Sequence, residues 1–231
     1  MSRVYQQIRS LIDPRYRRAY RSLRNLPRTE YRTLIDAGAN RGTFTDAFLQ
    51  VYSPSRVVLV EPIPALAEGL RRRFSPRAGF SVVAAALADR SGEADFQLNE
   101  SLDSSSLFRI NPRNVEWFGR DLKVTGTLRV PTLTLTQLLE EQRLQQVDLL
   151  KLDLQGAERL VLVGSEAMLP RIRVIYTEVF FERLYGDAWL FWEMNEFLAA
   201  RGFKLCGISN IAHGRNNDLL QANAIFWRAG G

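Results

Sequence analysis

Residues 34–42 read Leu-Ile-Asp-Ala-Gly-Ala-Asn-Arg-Gly, an apolar run that ends in Asp36 and enters a tight turn bounded by Gly38 and Gly42. A dinucleotide-binding turn would carry G-x-G-x-x-G, so that backbone N–H groups cradle a pyrophosphate. This turn has two glycines, separated by Ala-Asn-Arg. Three further strand-like runs also finish on an acid: 57–60 leads into Glu61, 149–152 into Asp153, and 174–177 into Glu178. In an open α/β sheet the ligand lies beyond the carboxyl ends of the strands. A site ringed by carboxylates repels phosphate and favours a cationic, hydroxyl-rich ligand. S-adenosylmethionine fits, with a sulfonium, an ammonium, a ribose diol and no phosphate.

Outward from this turn the pattern alternates between strand and helix, which reads as one α/β domain with helices on both faces of a mostly parallel sheet. Strands are expected at 32–37, 56–60, 80–86, 147–152 and 174–177, with helices over 43–52, 64–74, 136–143 and 188–201. Pro64 suits the first turn of its helix, and Gly202 suits the C-cap of the last. The stretch 89–131 is less regular, with strand-like pieces at 93–98 and 128–133 around a Ser-rich loop at 101–106. Residues 203–208 and 223–228 read as two closing strands joined by a polar loop that contains His213.

At 231 residues, 46% apolar and 24% charged, the chain can bury the core of a single domain. No apolar run approaches the roughly 18 residues of a membrane span. One Cys and one His exclude an internal disulfide framework and a Cys/His zinc site, so no metal is expected. The lone Cys206 is expected as a buried small hydrophobe, and a reducing, cytoplasmic compartment is expected from the cysteine usage.

The net charge of +6 is uneven. Residues 1–28 hold eight Arg against Asp13 alone, a balance of +7, and the other 203 residues sum to −1. Residues 1–30 therefore read as a basic N-terminal arm and 31–231 as the domain. Val4, Ile8, Leu11 and Ile12 recur at helical spacing, Pro14 should end or kink that helix, and Tyr16, Tyr20 and Leu23 form a second apolar stripe. Such a helix either docks on the domain and shows its arginines to water, or meets an anionic lipid or nucleic-acid surface. Arg71–Arg73 sits at a helix end, where cations complement the dipole.

Five motifs in order carry a resemblance: Asp36–Gly42, Glu61-Pro62, Ala86–Asp89, Ser104–Leu107 and Val147–Glu158, the last reading Val-Asp-Leu-Leu-Lys-Leu-Asp-Leu-Gln-Gly-Ala-Glu. Together they resemble the FkbM family of methyltransferases across about residues 31–228. The resemblance implies a class I methyltransferase (Rossmann-like) fold with seven strands, the last antiparallel. It also implies S-adenosylmethionine as donor and a hydroxyl on a sugar, polyketide or other small metabolite as acceptor. Gln155 stands where the family often has Glu, and Thr136 and Asn223 each replace a frequent Asp. No counterpart of the arm comes with the resemblance.

The expected cofactor-binding residues are Asp36, Gly38, Asn40, Gly42, Glu61, Pro62, Ala86, Leu87, Asp89, Ser106 and Asp153. Gly38 and Gly42 let the backbone approach the methionine moiety, which a Cβ would obstruct. Glu61, 19 residues after Gly42, stands near the spacing of an acid that accepts the ribose hydroxyls. Asp36 shapes the turn and meets the cationic end of the cofactor, and Ala86 and Leu87 border the adenine. Asp89 either reaches the adenine amino group or forms the following turn. Ser104, Ser105 and Ser106 cap a helix or bond the cofactor carboxylate.

For chemistry the expected residues are Asp153 first, then Glu178, then His213, the only imidazole. Asp153 would hold the acceptor hydroxyl and take its proton. Alternation puts Lys151 on the same strand face, so a structural Lys151–Asp153 pair is the competing reading. A nucleic-acid methyltransferase is a second class, disfavoured because amino-directed members carry (Asp/Asn)-Pro-Pro-(Tyr/Phe) where this chain reads Asp153-Leu-Gln-Gly156. A non-catalytic scaffold is a third, disfavoured because Gly38, Gly42, Glu61 and Asp153 are all present.

Overall fold

Side chains alternate across a strand, so each strand residue is committed to one face of the sheet. In β1 (Thr33–Ala37) Ile35 and Ala37 join one apolar cluster and Leu34 joins another, and Asp36 shares the face of Leu34. A computed structural model describes residues 13–118 and 123–228, and the statements that follow concern those residues. The remaining strands are β2 (Arg56–Val60), β3 (Phe80–Val83), β4 (Ala86–Leu87), β5 (Gly92–Asn99), β6 (Val124–Leu133), β7 (Val147–Leu152), β8 (Ile172–Phe180), β9 (Lys204–His213) and β10 (Leu219–Trp227). Seven of them form one sheet in the order β3-β2-β1-β7-β8-β10-β9. β3, β2, β1, β7 and β8 pair in parallel, whereas β10, the last strand in the chain, runs antiparallel to both its neighbours. This is the sheet that the resemblance implies.

The helices are α1 (Pro14–Ser22), α2 (Thr43–Phe48), α3 (Pro64–Phe74), α4 (Asn114–Phe118), α5 (Leu135–Glu141), α6 (Glu158–Gly164) and α7 (Phe191–Ala199). α5, α6 and α7 bury Leu138, Leu139, Val161, Met194 and Leu198 on the Ile35 face. α1, α2 and α3 bury Tyr16, Phe44, Phe48, Leu70 and Phe74 on the Leu34 face. No helix is long and apolar enough to cross a membrane.

The segment read as an arm packs into the second cluster from α1 onward. Pro14 opens this helix at its first position, and the Asp13 carboxylate caps it by accepting the N–H groups of Arg15 and Tyr16. Tyr16 and Leu23 are 2% exposed against Phe44, Phe48 and Ile225, and the Tyr176 hydroxyl donates to Ser22 Oγ at 3.0 Å. The helix read over Val4–Ile12 lies outside the described residues.

Four local expectations are corrected. The third strand stops at Val83, and Ala86–Leu87 pairs instead with β6 in a three-stranded sheet, β4-β6-β5. The intervening alanines carry little of the branched bulk that holds a strand to its neighbour. α7 starts at Phe191, not Ala188, because Leu190 bridges to Phe180 and is held extended. His213 ends β9 and is not a loop residue. Cys206 is exposed, since β9 is an edge strand.

Candidate active site

The carboxyl ends of β1, β2, β7 and β8 open on a cavity of about 490 Å³. Its wall includes Gly38, Asn40, Glu61, Pro62, Ala86, Leu87, Asp153 and Glu178 from the expected set. Asp36, Gly42, Asp89, Ser106 and His213 are not on that wall.

Each of these five has a different setting. Asp36 is fully buried behind the turn, where it accepts the Thr45 hydroxyl at 2.7 Å and pairs with Lys151 at 3.0 Å. Gly42 faces α3, where a Cβ would come within 2.7 Å of Phe74. Gly42 was expected to make room for the cofactor, and the space it saves is taken by this helix. Asp89 is exposed, and its backbone packs on Gly164. Ser106 braces the loop after β7, sharing its hydroxyl hydrogen between the carbonyls of Leu154 (3.1 Å) and Gln155 (2.8 Å). His213 is exposed, its Nδ1 3.3 Å from the Asn217 carbonyl.

Gly38 has a positive φ of 71°, and a Cβ there would overlap the Asp153 carbonyl oxygen. The turn after β1 is thus seated directly on the end of β7. Its N–H and that of Ala39 both donate to the Val60 carbonyl at 3.0 Å. Glu61, 4% exposed, accepts the N–H of Asn40 at 2.8 Å on one oxygen and of Ile63 at 2.9 Å on the other. Each carboxylate oxygen offers two lone pairs, so one remains on each for a diol. Burial raises the Glu61 pKa, against the pull of these two N–H groups. Beside it, Ala86, Leu87, Ile63 and Phe96 make an apolar wall, with Phe96 supplied by the small sheet.

Lys151 decides how the acids are partnered. It is 4% exposed, and its ammonium reaches Asp36 Oδ1 at 3.0 Å, the Ala37 carbonyl at 3.2 Å and the Gly38 carbonyl at 2.7 Å. Two of its donors go to the Ala37 and Gly38 carbonyls, and its charge pairs with Asp36 Oδ1. Asp153 Oδ2 stands 3.7 Å away, beyond a hydrogen bond. Burial lowers the Lys151 pKa, but the Asp36 and Asp153 carboxylates outweigh it and leave it above the ordinary value.

Asp153 and Glu178 are joined through Gln155. Its amide nitrogen donates to Asp153 Oδ1 at 2.7 Å and to Glu178 Oε2 at 3.0 Å, while its carbonyl accepts the Tyr185 hydroxyl at 2.5 Å. Gln155 holds a left-handed φ of 55°, and Gly156 leaves no room for a Cβ against Tyr185 and Ala188. Gln221 donates to the other oxygen of Glu178 at 2.9 Å. Burial, followed by the Asp153 charge, pushes the Glu178 pKa well above the usual carboxylate range.

A family model described as the methyltransferase FkbM domain matches residues 36–205. The chain belongs to the FkbM methyltransferase family. Its domain is therefore a methyltransferase with S-adenosylmethionine as methyl donor. A curated relative, the 2-O-methyltransferase NoeI of Sinorhizobium fredii strain NGR234, is 30% identical over 162 residues, covering 66% of this chain and 65% of NoeI. The crystal structure of the methyltransferase FkbM from Methylobacillus flagellatus KT superposes with a TM-score of 0.54 at 14% identity, over 86% of this chain and 45% of that one. The precorrin-6y C5,15-methyltransferase of Geobacter metallireducens GS-15 reaches 0.50 at 12% identity, over 91% and 87%. The chain thus spans less than two thirds of NoeI and of the M. flagellatus protein, and the two structural likenesses show the fold.

Several wall residues of this FkbM domain escaped the sequence reading. Tyr176, Gln221 and Asn223 line the cavity from β8 and β10, and Asn223 is one of the positions where this chain replaces a frequent Asp. Arg15 and Arg18 line it from α1. Alternation from Glu178 would have found Tyr176, but nothing local marks the others.

The FkbM domain also buries Glu158, 1% exposed, which accepts the Leu154 N–H at 2.6 Å. Burial lifts its pKa from 4.5 to about 7. The folded chain therefore keeps a proton there that the unfolded chain has lost, so this contribution is fully present below about pH 4.5 and lost as pH rises through about 7. Glu61 and Glu178 shift in the same direction. Thermal melts should show the midpoint falling between about pH 5 and pH 8, and Glu158→Gln should flatten part of that slope. A slope identical in the variant would contradict this assignment.

Proposed function

We propose that the chain is an S-adenosylmethionine-dependent O-methyltransferase whose acceptor is a hydroxyl on a sugar, glycan or related small metabolite, and that it acts in the cytoplasm. The observation that carries this reading is Lys151, whose ammonium donates to the Ala37 and Gly38 carbonyls and pairs with Asp36 at 3.0 Å, so that Asp153 Oδ2, 3.7 Å away, has no hydrogen bond from it, and Asp153 lines the cavity. The Asp153 side chain is 43% exposed, as a group meeting a solvated acceptor requires. The hydroxyl oxygen as target agrees with the 2-O-methyltransferase name of NoeI.

The residues present suit the donor. Glu61 keeps a free lone pair on each oxygen for the ribose diol, and the Ala86–Leu87–Phe96 wall offers an apolar bed for the adenine. Asn40 and Pro62 flank Glu61 on the same wall, and the backbone at Gly38 borders the methionine end. Asp36, Gly42 and Ser106 act from behind the wall by shaping or bracing its loops, and the exposed Asp89 has no part in it. S-adenosylmethionine supplies an electrophilic methyl on a sulfonium. The chain supplies placement: an in-line approach of the acceptor oxygen accounts for most of the gain available to such a reaction.

Asp153 Oδ2 accepts the acceptor hydroxyl, holds its oxygen in line, and takes the proton as charge develops. Gln155 fixes the other oxygen of Asp153, and Tyr185 fixes the amide of Gln155 so that its nitrogen faces both acids. Glu178, with its raised pKa, borders the acceptor from β8. His213, off the wall, has no part in this scheme.

Calorimetry tests the donor site. S-adenosylhomocysteine and S-adenosylmethionine should bind, and NAD and ATP should not. Glu61→Ala should weaken S-adenosylhomocysteine by about 1–3 kcal/mol, since its bonds to the diol are charge-assisted. Glu61→Gln, whose single amide oxygen can accept only one of the N–H groups of Asn40 and Ile63 and which sets its NH2 against the other, should also weaken it. Micromolar NAD binding without S-adenosylhomocysteine binding would overturn the reading.

A further inference from the structure

Three acids, Glu61, Asp153 and Glu178, stand at the strand-end floor of the cavity, but α1 brings charge of the opposite sign to its wall. Arg15 and Arg18 are three residues apart, hence on one helix face, and both line the cavity. Arg17, Arg21 and Arg24 are exposed elsewhere on this segment and do not line it. The face is fixed by packing: Tyr16 and Leu23 are in the core, and Ser22 accepts the hydroxyl of Tyr176, itself a wall residue.

The guanidinium of Arg18 has no ion pair among the described residues. Asp13, the nearest acid in sequence, is spent on the N–H groups of Arg15 and Tyr16. A guanidinium offers planar, paired donors that match phosphate, sulfate and carboxylate. A cavity of about 490 Å³ is of small-ligand size.

We propose that Arg15 and Arg18 select an acceptor that carries an anionic group, a phosphate, sulfate or carboxylate, on the same small molecule or glycan as the hydroxyl that is methylated. This rests on the methyltransferase reading above. The acceptor spans the cavity with its hydroxyl at Asp153 and its anion at α1. The first helix is then a specificity element of the site, and its basic charge serves a small ligand.

The test uses the full chain and the variant Arg15→Glu/Arg18→Glu. Both should bind S-adenosylhomocysteine equally by calorimetry. Each is then given methyl-labelled S-adenosylmethionine and a metabolite and glycan extract of the source organism, split by anion exchange into retained and unretained fractions. Label should enter the retained fraction with the wild-type chain and fall at least about tenfold with the variant, as expected for lost charge-assisted bonds. Phosphatase treatment that abolishes retention of the product marks a phosphate, and persistence marks a sulfate or carboxylate; either result supports the assignment. Label in the unretained fraction, equal labelling by the variant, nuclease-sensitive label, or lost S-adenosylhomocysteine binding in the variant would each overturn it. A wild-type chain that binds no S-adenosylhomocysteine takes down the methyltransferase reading and this one with it, whereas bound S-adenosylhomocysteine with neutral product takes down this one alone.

Discussion

Asp153→Asn should lower turnover about 10²–10⁴-fold, the range for a lost general base, while leaving S-adenosylhomocysteine affinity and melting temperature nearly unchanged. The substitution keeps the shape of the side chain and can still accept the Gln155 amide, now at 2.7 Å from Asp153 Oδ1. What it removes is the second oxygen, 3.7 Å from Lys151 and not hydrogen-bonded to it. In its place the acceptor hydroxyl would meet an amide N–H, which cannot take a proton. If Asp153 were a structural partner of Lys151, the same substitution would cost stability and spare the rate per folded molecule. Single-turnover rates beside thermal melts separate the two outcomes. Full turnover in Asp153→Asn would move the base to Glu178 or remove the need for one.

The second large effect is on stability. Lys151→Met should destabilise the fold by about 3–5 kcal/mol, because it leaves the carboxylate of Asp36, buried on every side, without its cation. At about 2–4 °C per kcal/mol for a domain of this size, the melting temperature should drop by roughly 6–20 °C. The loss extends beyond one pair, since the ammonium also ties β7 to the carbonyls of Ala37 and Gly38 at the mouth of the turn. Adding Asp36→Leu to Lys151→Met should recover much of the drop, because a buried pair replaced by apolar groups of like volume is often neutral. A melting temperature unmoved by Lys151→Met would mean that Asp36 does not depend on it.

The parts of the site that follow a strand were legible, and the parts that arrive from elsewhere were not. Asp36, Glu61, Asp153 and Glu178 each end an apolar run, and the ends of parallel strands are where a doubly wound sheet places its ligands. Three of the four line the cavity, and the fourth sits one layer behind it. The runs placed the strands along the chain, whereas the seven-stranded architecture with its reversed final strand came from the resemblance. Alternation pointed Lys151 at Asp153 on its own strand, and only the packed turn shows that its ammonium pairs with Asp36 and donates to the carbonyls of Ala37 and Gly38.

Gly42 shows how one pattern serves different ends. Its freedom at φ 74° reads the same whether it makes room for a ligand or for Phe74. Arg15, Arg18 and Gln221 carry no local mark, because they reach the cavity only through the docking of α1 and the return of β10. His213 attracted notice as the only imidazole, and residue type gave no information about its place at the exposed end of β9.

The most direct measurement is of the methylated product. The full chain would be incubated with carbon-13 methyl-labelled S-adenosylmethionine and acceptor-containing extract, and the labelled product examined by NMR for the atom that bears the methyl. A methyl ether on a hydroxyl oxygen, formed by the wild-type chain and nearly absent with Asp153→Asn, is the predicted result. A methyl on nitrogen or carbon, or equal transfer by the variant, would contradict it.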